Sequence, residues 1–369
     1  PPCPLPPCVS PPLLVCDDLG QKPHIVGSPP AAAHRGWGVA LGAAGAGGAR
    51  AGMARARGGR AAALLAVLLA AGGCAVAAGR GARGAGPAGA DAGAGVGAGP
   101  RRVNWYLNQR KLDANLAFLE ASPATGVYLC CNGAQVRMDD VGEVEFQFRW
   151  KSGSPEAARE DVSAYRGVGM SDVWLVGGAS TDAIWRGLSG EAGRRAVASA
   201  AAAVRAAGLD GLIFDYEPTS NYTRAHVQAY ADFLGAMAEG FHREGLRLGM
   251  DSSSWGILQY YGAYASLPLD LFTTMGSTYF GTDVSLDLHR LEKMQEEGTP
   301  LQSISAGVGS MVKGGAMKDY AWTQAKLANF TRGLDAMGVR GVDVWRADLD
   351  GYNTTEPWFL NTLGAWLAQ

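Results

Sequence analysis

The chain has 369 residues, 18% of them charged, and its formal net charge is −2 at pH 7. A charge so close to zero argues against a nucleic-acid-binding protein, because that class carries a strongly basic surface. Six cysteines do not indicate a disulfide-rich scaffold, because four of them lie before residue 75, outside the part of the chain that could form a core.

The first hundred residues are dominated by Ala, Gly, Pro and Arg and lack the periodic apolar pattern of a folded core. Within them, Met53 precedes a basic stretch and a short apolar run that ends in small residues, the pattern of a secretory signal. The run is too short for a membrane span, which needs about 20 apolar residues. A disordered Ala-rich tail of biased composition is the alternative. We expect residues 1–52 to precede the true start and to be disordered, and residues 53–77 to form a signal peptide. Residues 78–100 would form a Gly/Ala-rich linker, and residues 101–369 the folded domain.

A secreted or secretory-pathway location is supported by three N-glycosylation sequons, which begin at Asn221, Asn329 and Asn353. Within the folded domain the cysteines are the adjacent Cys130 and Cys131. Neighbours in a strand point to opposite faces, so we expect two buried thiols rather than a disulfide.

Short runs rich in β-branched, apolar and aromatic residues follow one another through the domain, and helical segments separate most of them. Parallel strands need connections of a dozen or more residues, so this alternation predicts a parallel sheet. A count of eight favours a closed (β/α)8 TIM barrel of α/β class over an open doubly wound sheet. No G-x-G-x-x-G spacing follows the first run, which disfavours a nucleotide-binding fold. The predicted strands are 126–131, 144–148, 172–178, 211–217, 246–252, 271–279, 303–309 and 341–348.

Two acids end the fourth predicted strand, in the stretch GLIFDYE. Period-two alternation places Asp215 and Glu217 on the same face as Ile213 and sends the residues between them toward the helices. The carboxyl end of a barrel strand is where barrel enzymes carry their active sites, and burying carboxylates there is costly unless they have a function. The alternative is that both are solvated acids in a loop after a shorter strand.

These acids lie in a segment that resembles a known family motif. DGLIFDYE, residues 210–217, resembles the D-G-x-D-x-D-x-E signature of glycoside hydrolase family 18, the chitinases and their relatives. LVGG at 175–178 is similar to the S-x-G-G motif of that family's third strand, with Leu in place of Ser. MGSTYFG at 275–281 is similar to the M-x-Y-D/N motif of the sixth strand, with Ser277 and Phe280 in place of its Met and its acid. GVDVWRADLD at 341–350 is similar to the W-x-x-D-x-D pattern of the eighth.

The resemblance implies substrate-assisted, retaining hydrolysis of β-linked N-acetylglucosamine polymers, such as chitin or N-glycan cores, without a cofactor or metal. Glu217 would be the general acid, Asp215 would hold the 2-acetamido group of the substrate, and Tyr279 would donate to the acetamido oxygen. Trp345 would form an apolar floor beneath the sugar ring. The resemblance adds three substrate-binding candidates, Gly177, Gly178 and Met275.

Ile213 stands where the family has its middle Asp, so Asp215 lacks the acid with which it would share a proton. We therefore expect Asp215 to be more permanently ionised and turnover to be slowed or changed. Asp251, at the end of the fifth predicted strand, is either a further substrate-binding residue or a helix cap. His226 lies in a helical segment with no metal-ligand spacing, so we expect a surface residue.

Two other functions stay open. One is a non-catalytic, carbohydrate-binding chitinase-like lectin, which the missing Asp would allow. The other is a glycosidase of another barrel family that pairs Asp215 or Glu217 directly with Asp251. Retention of Glu217 favours the enzyme, because a lectin needs no acid at that position. We expect an oligo- or polysaccharide as ligand, no nucleic acid, no stable membrane span, and a monomer.

Overall fold

The structure is a computed structural model. Tyr279, Asn221 and Asn353 lie outside the residues that it describes, as do the expected signal peptide and nearly all of the linker. No helix within the described part is long and apolar enough to cross a membrane. The described residues are 99–151, 153–218, 222–275, 283–310, 322–346 and 356–369, with only the backbone considered at 131 and 132.

Parallel strands form a closed barrel with helices between them, which confirms the expected (β/α)8 TIM barrel. The strands are β1 (Arg102–Asn108), β2 (Gly126–Met138), β3 (Val144–Phe148), β4 (Asp172–Ala179), β5 (Gly211–Phe214), β6 (Arg247–Ser252), β7 (Leu271–Thr274), β8 (Ile304–Gly309) and β9 (Gly341–Trp345). The described helices are α1 (Leu112–Glu120), α2 (Pro155–Gly167), α3 (Thr181–Arg186), α4 (Gly190–Ala206), α5 (Arg224–Arg243), α6 (Tyr261–Tyr264), α7 (Val284–Glu296), α8 (Gln324–Met337) and α9 (Pro357–Leu367).

Closure of the barrel depends on β1, a strand that the sequence-based assignment omits. β1 pairs in parallel with β2 on one side and with β9 on the other, while the ring continues through β8, β7, β6, β5 and β4 back to β2. The ring therefore has eight parallel strands, but they are not the eight that were predicted.

The second predicted barrel strand, residues 144–148, is wrong as a barrel strand. These residues form β3, which runs antiparallel to β2 as a hairpin outside the closed ring. The turn between them is tied by the Asp139 carboxylate, which accepts the backbone N–H groups of Val141 and Glu143. The connection between Met138 and Val144 is too short to cross over to a parallel partner, whereas the predicted end of the preceding strand at residue 131 left twelve residues and concealed the hairpin.

Strand alternation divides the core into two layers. In β5, Leu212 and Phe214 face outward and join the apolar layer between barrel and helices, whereas Ile213 faces inward. This is the alternation that the sequence predicts. The inward-facing apolar residues, which fill the barrel interior, are Tyr106, Tyr128, Cys130, Trp174, Val176, Ile213 and Leu271.

The helices that follow β4 and β5 start at side chains that satisfy their first backbone N–H groups. Ser180 caps α3 by accepting from the Ala183 N–H, and Thr223 caps α5 by accepting from the His226 N–H. Each cap ends the loop that leaves the carboxyl end of a barrel strand. These loops surround the mouth of the barrel, where the acids of the GLIFDYE segment emerge.

The start of β5 gives a direct test of barrel packing. A methyl group added at Gly211 would lie 2.3 Å from the carbonyl oxygen of Arg247 and 2.6 Å from the Trp174 ring. We expect Gly211→Ala to lower the free energy of unfolding by about 1–3 kcal/mol, measured by urea denaturation. Gly167→Ala, at the end of α2, is the matched control, because nothing lies within 4 Å of its added methyl group. Equal stability of the two variants would contradict the close packing at Gly211.

Candidate active site

β5 carries Asp215 and Glu217 to the mouth of the barrel. The strand ends at Phe214, three residues earlier than predicted. The Asp215 amide nevertheless donates to the Gly177 carbonyl at 2.8 Å, so the pairing with β4 continues for one more residue. Asp215 is half-buried and Glu217 is exposed as a whole residue. The strand interpretation therefore fits Asp215, and the loop alternative fits Glu217.

Tyr216, between the two acids, is buried on the outer side of the barrel and anchors the segment. Its hydroxyl lies 2.9 Å from His226 Nε2 and 3.0 Å from Thr181 Oγ1. The ring of Trp185 stacks on His226 with centroids 4.9 Å apart. The expectation that His226 is a surface residue is wrong, since it is only 4% exposed, and burial lowers its pKa. Fixing Tyr216 restricts the backbone on both sides of it.

The pKa of the Glu217 carboxyl group is raised above its usual value. Surrounding protein raises its pKa by desolvation, although the residue as a whole is exposed, and this outweighs hydrogen bonds with Asp215 and Trp255 that lower it. A hydrogen bond between two carboxyl groups requires that they hold a proton between them. A raised pKa keeps the proton on Glu217 to higher pH than on a free Glu, which is the direction that general acid catalysis requires.

Asp251 lies deeper, inside the barrel, and is 2% exposed. The Tyr106 hydroxyl donates to its Oδ1 at 2.5 Å, and the Thr273 hydroxyl donates to the same oxygen. Burial is the main cause that raises the pKa of Asp251 to about 7 against these two hydrogen bonds, and the negative charges of Glu217 and Asp343 act in the same direction as burial. Asp251 is not a helix cap, because its carboxylate is held by residues of two other strands.

A second buried carboxyl group, Asp343 of β9, lies near Asp251. Asn104 of β1 donates from its side chain to Asp343 Oδ1 at 2.9 Å and to the Tyr128 hydroxyl at 2.8 Å. Burial raises the pKa of Asp343 to about 6. Sequence reasoning missed Asp343, although a charged residue two positions before Trp345 in the same strand had the parity of an inward-facing group.

Most of the remaining predicted site residues face the mouth or the interior of the barrel, and one faces outward. Trp345 is half-buried at the end of β9, with its ring centroid 5.2 Å from that of Tyr106. Trp345, Met275 and Asp251 line one small cavity at the mouth. Gly178 has the inward parity of Trp174, and a methyl group added there would lie 3.4 Å from the Asp215 carbonyl oxygen.

Gly177 is the residue that faces outward. A methyl group at Gly177 would point outward, 2.9 Å from the Ala134 side chain and 3.2 Å from that of Leu212. Its place in the site is its carbonyl, which accepts the Asp215 amide. Tyr279, the predicted donor to the acetamido oxygen, lies outside the described residues.

Two residues at the mouth were undervalued or missed by sequence reasoning. Trp255 has no role in the sequence-based assignment, yet it hydrogen-bonds to Glu217. Tyr106 was missed because β1 was missed, although RVNWYLN has the aromatic and β-branched composition of a strand.

Comparison with known proteins gives a likeness in fold. No family model matches the sequence, and no curated protein matches it. Solved structures do match. A glycoside hydrolase family 18 N-acetylglucosaminidase from Paenibacillus barengoltzii has a TM-score of 0.53 at 15% identity, over 72% of this chain and 99% of that one. The fold is chitinase-like.

Two further chitinase structures agree with this result. A chitinase from Bacteroides thetaiotaomicron has a TM-score of 0.54 at 13% identity, over 73% of this chain and 97% of that one. A class V chitinase from Nicotiana tobaccum has a TM-score of 0.53 at 11% identity, over 73% of this chain and 99% of that one. At these identities the likeness concerns the fold alone, so the chemistry of this chitinase-like barrel must be argued from its own residues.

The buried carboxyl groups predict a pH dependence of stability. The pKa of Asp343 is about 6 in the folded protein and near 4 for an unfolded Asp, so between these values the folded state binds more protons. The free energy of unfolding should therefore fall as pH rises through this window, by up to about 3 kcal/mol from this residue. In Asp343→Asn that part of the fall should disappear, as measured by urea unfolding from pH 4 to pH 7. Parallel curves for the variant and the parent protein would contradict the assignment.

Proposed function

We propose that this protein is a glycosidase of glycoside hydrolase family 18 that hydrolyses β-linked N-acetylglucosamine oligo- or polysaccharides, chitin-like or in N-glycan cores. The proposal is carried by Glu217, which emerges at the mouth of a chitinase-like barrel with a raised pKa and hydrogen bonds to Asp215 and Trp255. The spacing D-x-E in GLIFDYE and the strand order of the other motifs support the same function.

In the proposed reaction, the Glu217 carboxyl group gives its proton to the glycosidic oxygen as the bond to the anomeric carbon breaks. The carbonyl oxygen of the substrate's own 2-acetamido group attacks that carbon from the opposite face, and Asp215 accepts the acetamido N–H and orients the group. The Glu217 carboxylate then takes a proton from water, which attacks the anomeric carbon and releases the acetamido oxygen. Two inversions give net retention.

Trp345 and Met275 would contact the apolar side of the sugar, because they line the mouth cavity above Asp251. Gly178 would leave room for the substrate beside Asp215, and Tyr279 would donate to the acetamido oxygen. Two proteins with this fold carry saccharide-like ligands in their crystals. The Nicotiana tobaccum chitinase was crystallised as a mutant with NAG4, and a group IV chitinase from Ostrinia furnacalis with allosamidin.

We also propose that the protein is secreted or enters the secretory pathway and acts as a monomer. The signal-like segment 53–77 supports the location. Asn329, the one sequon asparagine within the described residues, is exposed on α8. An exposed sequon side chain is accessible to glycosylation.

The proposal is tested by hydrolysis of fluorogenic chitobioside and chitotrioside by the secreted protein. We expect the parent protein to cleave them and Glu217→Gln to lower kcat by at least about 100-fold, because the amide cannot donate the proton. Glu120→Gln is the matched control, since Glu120 is an exposed residue at the end of α1. Full activity of Glu217→Gln would refute the assigned acid.

Two other outcomes would identify the competing functions. Ile213, in the family's middle Asp position, is fully buried, and this replacement favours a lectin as the second candidate. Binding of chito-oligosaccharides without cleavage by both proteins would establish that lectin. Cleavage of a glucoside without an acetamido group, at a rate similar to that of the chitobioside, would instead indicate a direct two-carboxylate glycosidase.

A further inference from the structure

Glu217 lies beyond the end of β5, where regular sheet pairing no longer holds the backbone. β5 ends at Phe214, and the Asp215 amide extends the pairing with β4 by one residue. Pro218 restricts the residue before it to an extended conformation, but it does not tie Glu217 to the barrel. The side chain of Tyr216, next to Glu217 in the chain, supplies a contact that the sheet cannot.

The Tyr216 hydroxyl is held by two helices at once. It lies 2.9 Å from Nε2 of His226, the third residue of α5, and 3.0 Å from Oγ1 of Thr181, the first residue of α3. Thr181 is exposed, so water competes for its hydroxyl, whereas His226 is buried. A hydrogen bond is stronger where water is excluded, so His226 is the main partner of Tyr216.

His226 is itself fixed from two sides. Its backbone N–H donates to the side chain of Thr223, which caps α5. The ring of Trp185 in α3 stacks on its imidazole at an interplanar angle of 28°. Because burial lowers its pKa, the imidazole is neutral near neutral pH and has one donor and one acceptor nitrogen. Nε2 can therefore bond to the Tyr216 hydroxyl in either tautomer.

We propose that His226 is a positioning residue for Glu217: its hydrogen bond to the Tyr216 hydroxyl fixes the backbone that carries Glu217 and so sets the direction of that side chain at the mouth. His226 acts through Tyr216 and needs no contact with the acid or with a sugar. The inference rests on the proposed function for the use made of Glu217. The positioning itself does not require that the protein cleave a sugar.

The carboxyl group of Glu217 depends on a fixed backbone because its two partners come from different parts of the mouth. It hydrogen-bonds to Asp215, at the end of β5, and to Trp255, which follows β6. A catalytic group must be held within about 0.5 Å of its productive position, and a misplacement of about 1 Å can lower the rate about 100-fold. Loss of the contact at Tyr216 should therefore lower kcat more than it changes KM.

The test compares two replacements of His226 that separate its hydrogen bond from its ring. His226→Gln keeps a polar group within reach of the Tyr216 hydroxyl and loses the stack on Trp185. His226→Phe keeps a ring against Trp185 and loses the hydrogen bond. On the fluorogenic chitobioside we expect His226→Phe to lower kcat about 10-fold with little change in KM, and His226→Gln to recover most of that loss. A role of the ring in packing alone would give the opposite order.

Tyr216→Phe tests the other side of the same contact, because it keeps the ring and removes the hydroxyl. We expect it to lower kcat about as much as His226→Phe does. The double variant should be no worse than either single variant, since both remove one hydrogen bond. Tyr165→Phe is the matched control: Tyr165 is a buried tyrosine of α2 whose hydroxyl accepts from Asn115 at 2.7 Å. It should lose stability but keep its kcat.

A second measurement needs no substrate. The indole N–H of Trp255 hydrogen-bonds to Glu217, so its exchange with solvent, followed by NMR, reports how firmly the acid is held. The signal is assigned by its absence in Trp255→Phe. We expect faster exchange in His226→Phe and Tyr216→Phe than in the parent protein, and parent-like exchange in His226→Gln and Tyr165→Phe.

Parent-like kcat and exchange in folded His226→Phe, equal losses in His226→Phe and His226→Gln, or additive losses in the double variant would overturn the inference. If His226→Phe does not fold, Tyr216→Phe decides, and parent-like values there would overturn it. The proposed hydrolase can fail separately. A protein that binds chito-oligosaccharides without cleaving them, with faster Trp255 exchange in His226→Phe but not in His226→Gln, would support the role of His226 and refute the hydrolase.

Discussion

Closure of the sheet through β1 is the constraint on which the site depends. β1 pairs with β2 and with β9, so the inward-facing side chains of the eight ring strands share one buried interior. Tyr106 and Asn104 enter this interior from β1, where they donate to Asp251 and Asp343. Without β1 the sheet would be open at this edge, and both carboxylates would lose a donor and gain water.

The interior carries its acids in two hydrogen-bonded sets rather than as isolated charges. Asn104 links Asp343 to Tyr128, and Tyr106 links Asp251 to Thr273. Each set supplies neutral donors to a carboxylate and no opposite charge, so burial still dominates and the pKa values rise. Asp251 and Asp343 therefore hold their protons to higher pH than a free Asp does. The outer layer, between the barrel and the helices, is apolar and forms most of the hydrophobic core.

Sequence reasoning succeeded where the signal was local. The alternation in GLIFDYE places Ile213 inside and Leu212 outside, and the repeating strand and helix segments give the closed barrel. The sequence-based assignment failed where it depended on which strand pairs with which in the sheet. β3 has the composition of a barrel strand and differs only in its partner, and β1 follows a linker with no helix before it to mark a repeat. His226 was misplaced because its partner, the Tyr216 hydroxyl, belongs to the preceding strand segment.

The contact between Tyr106 and Asp251 joins residues 145 positions apart in sequence, so no motif contains it. β1 and β6 are four strands apart in either direction around the ring, which places them on opposite sides of the barrel. The Tyr106 side chain therefore spans the interior to reach an acid on the far wall. A carboxylate placed at position 213 would come from β5 and would meet different donors. Asp251 instead comes from β6 and takes its donors from β1 and β7, an arrangement that only the closed barrel brings together.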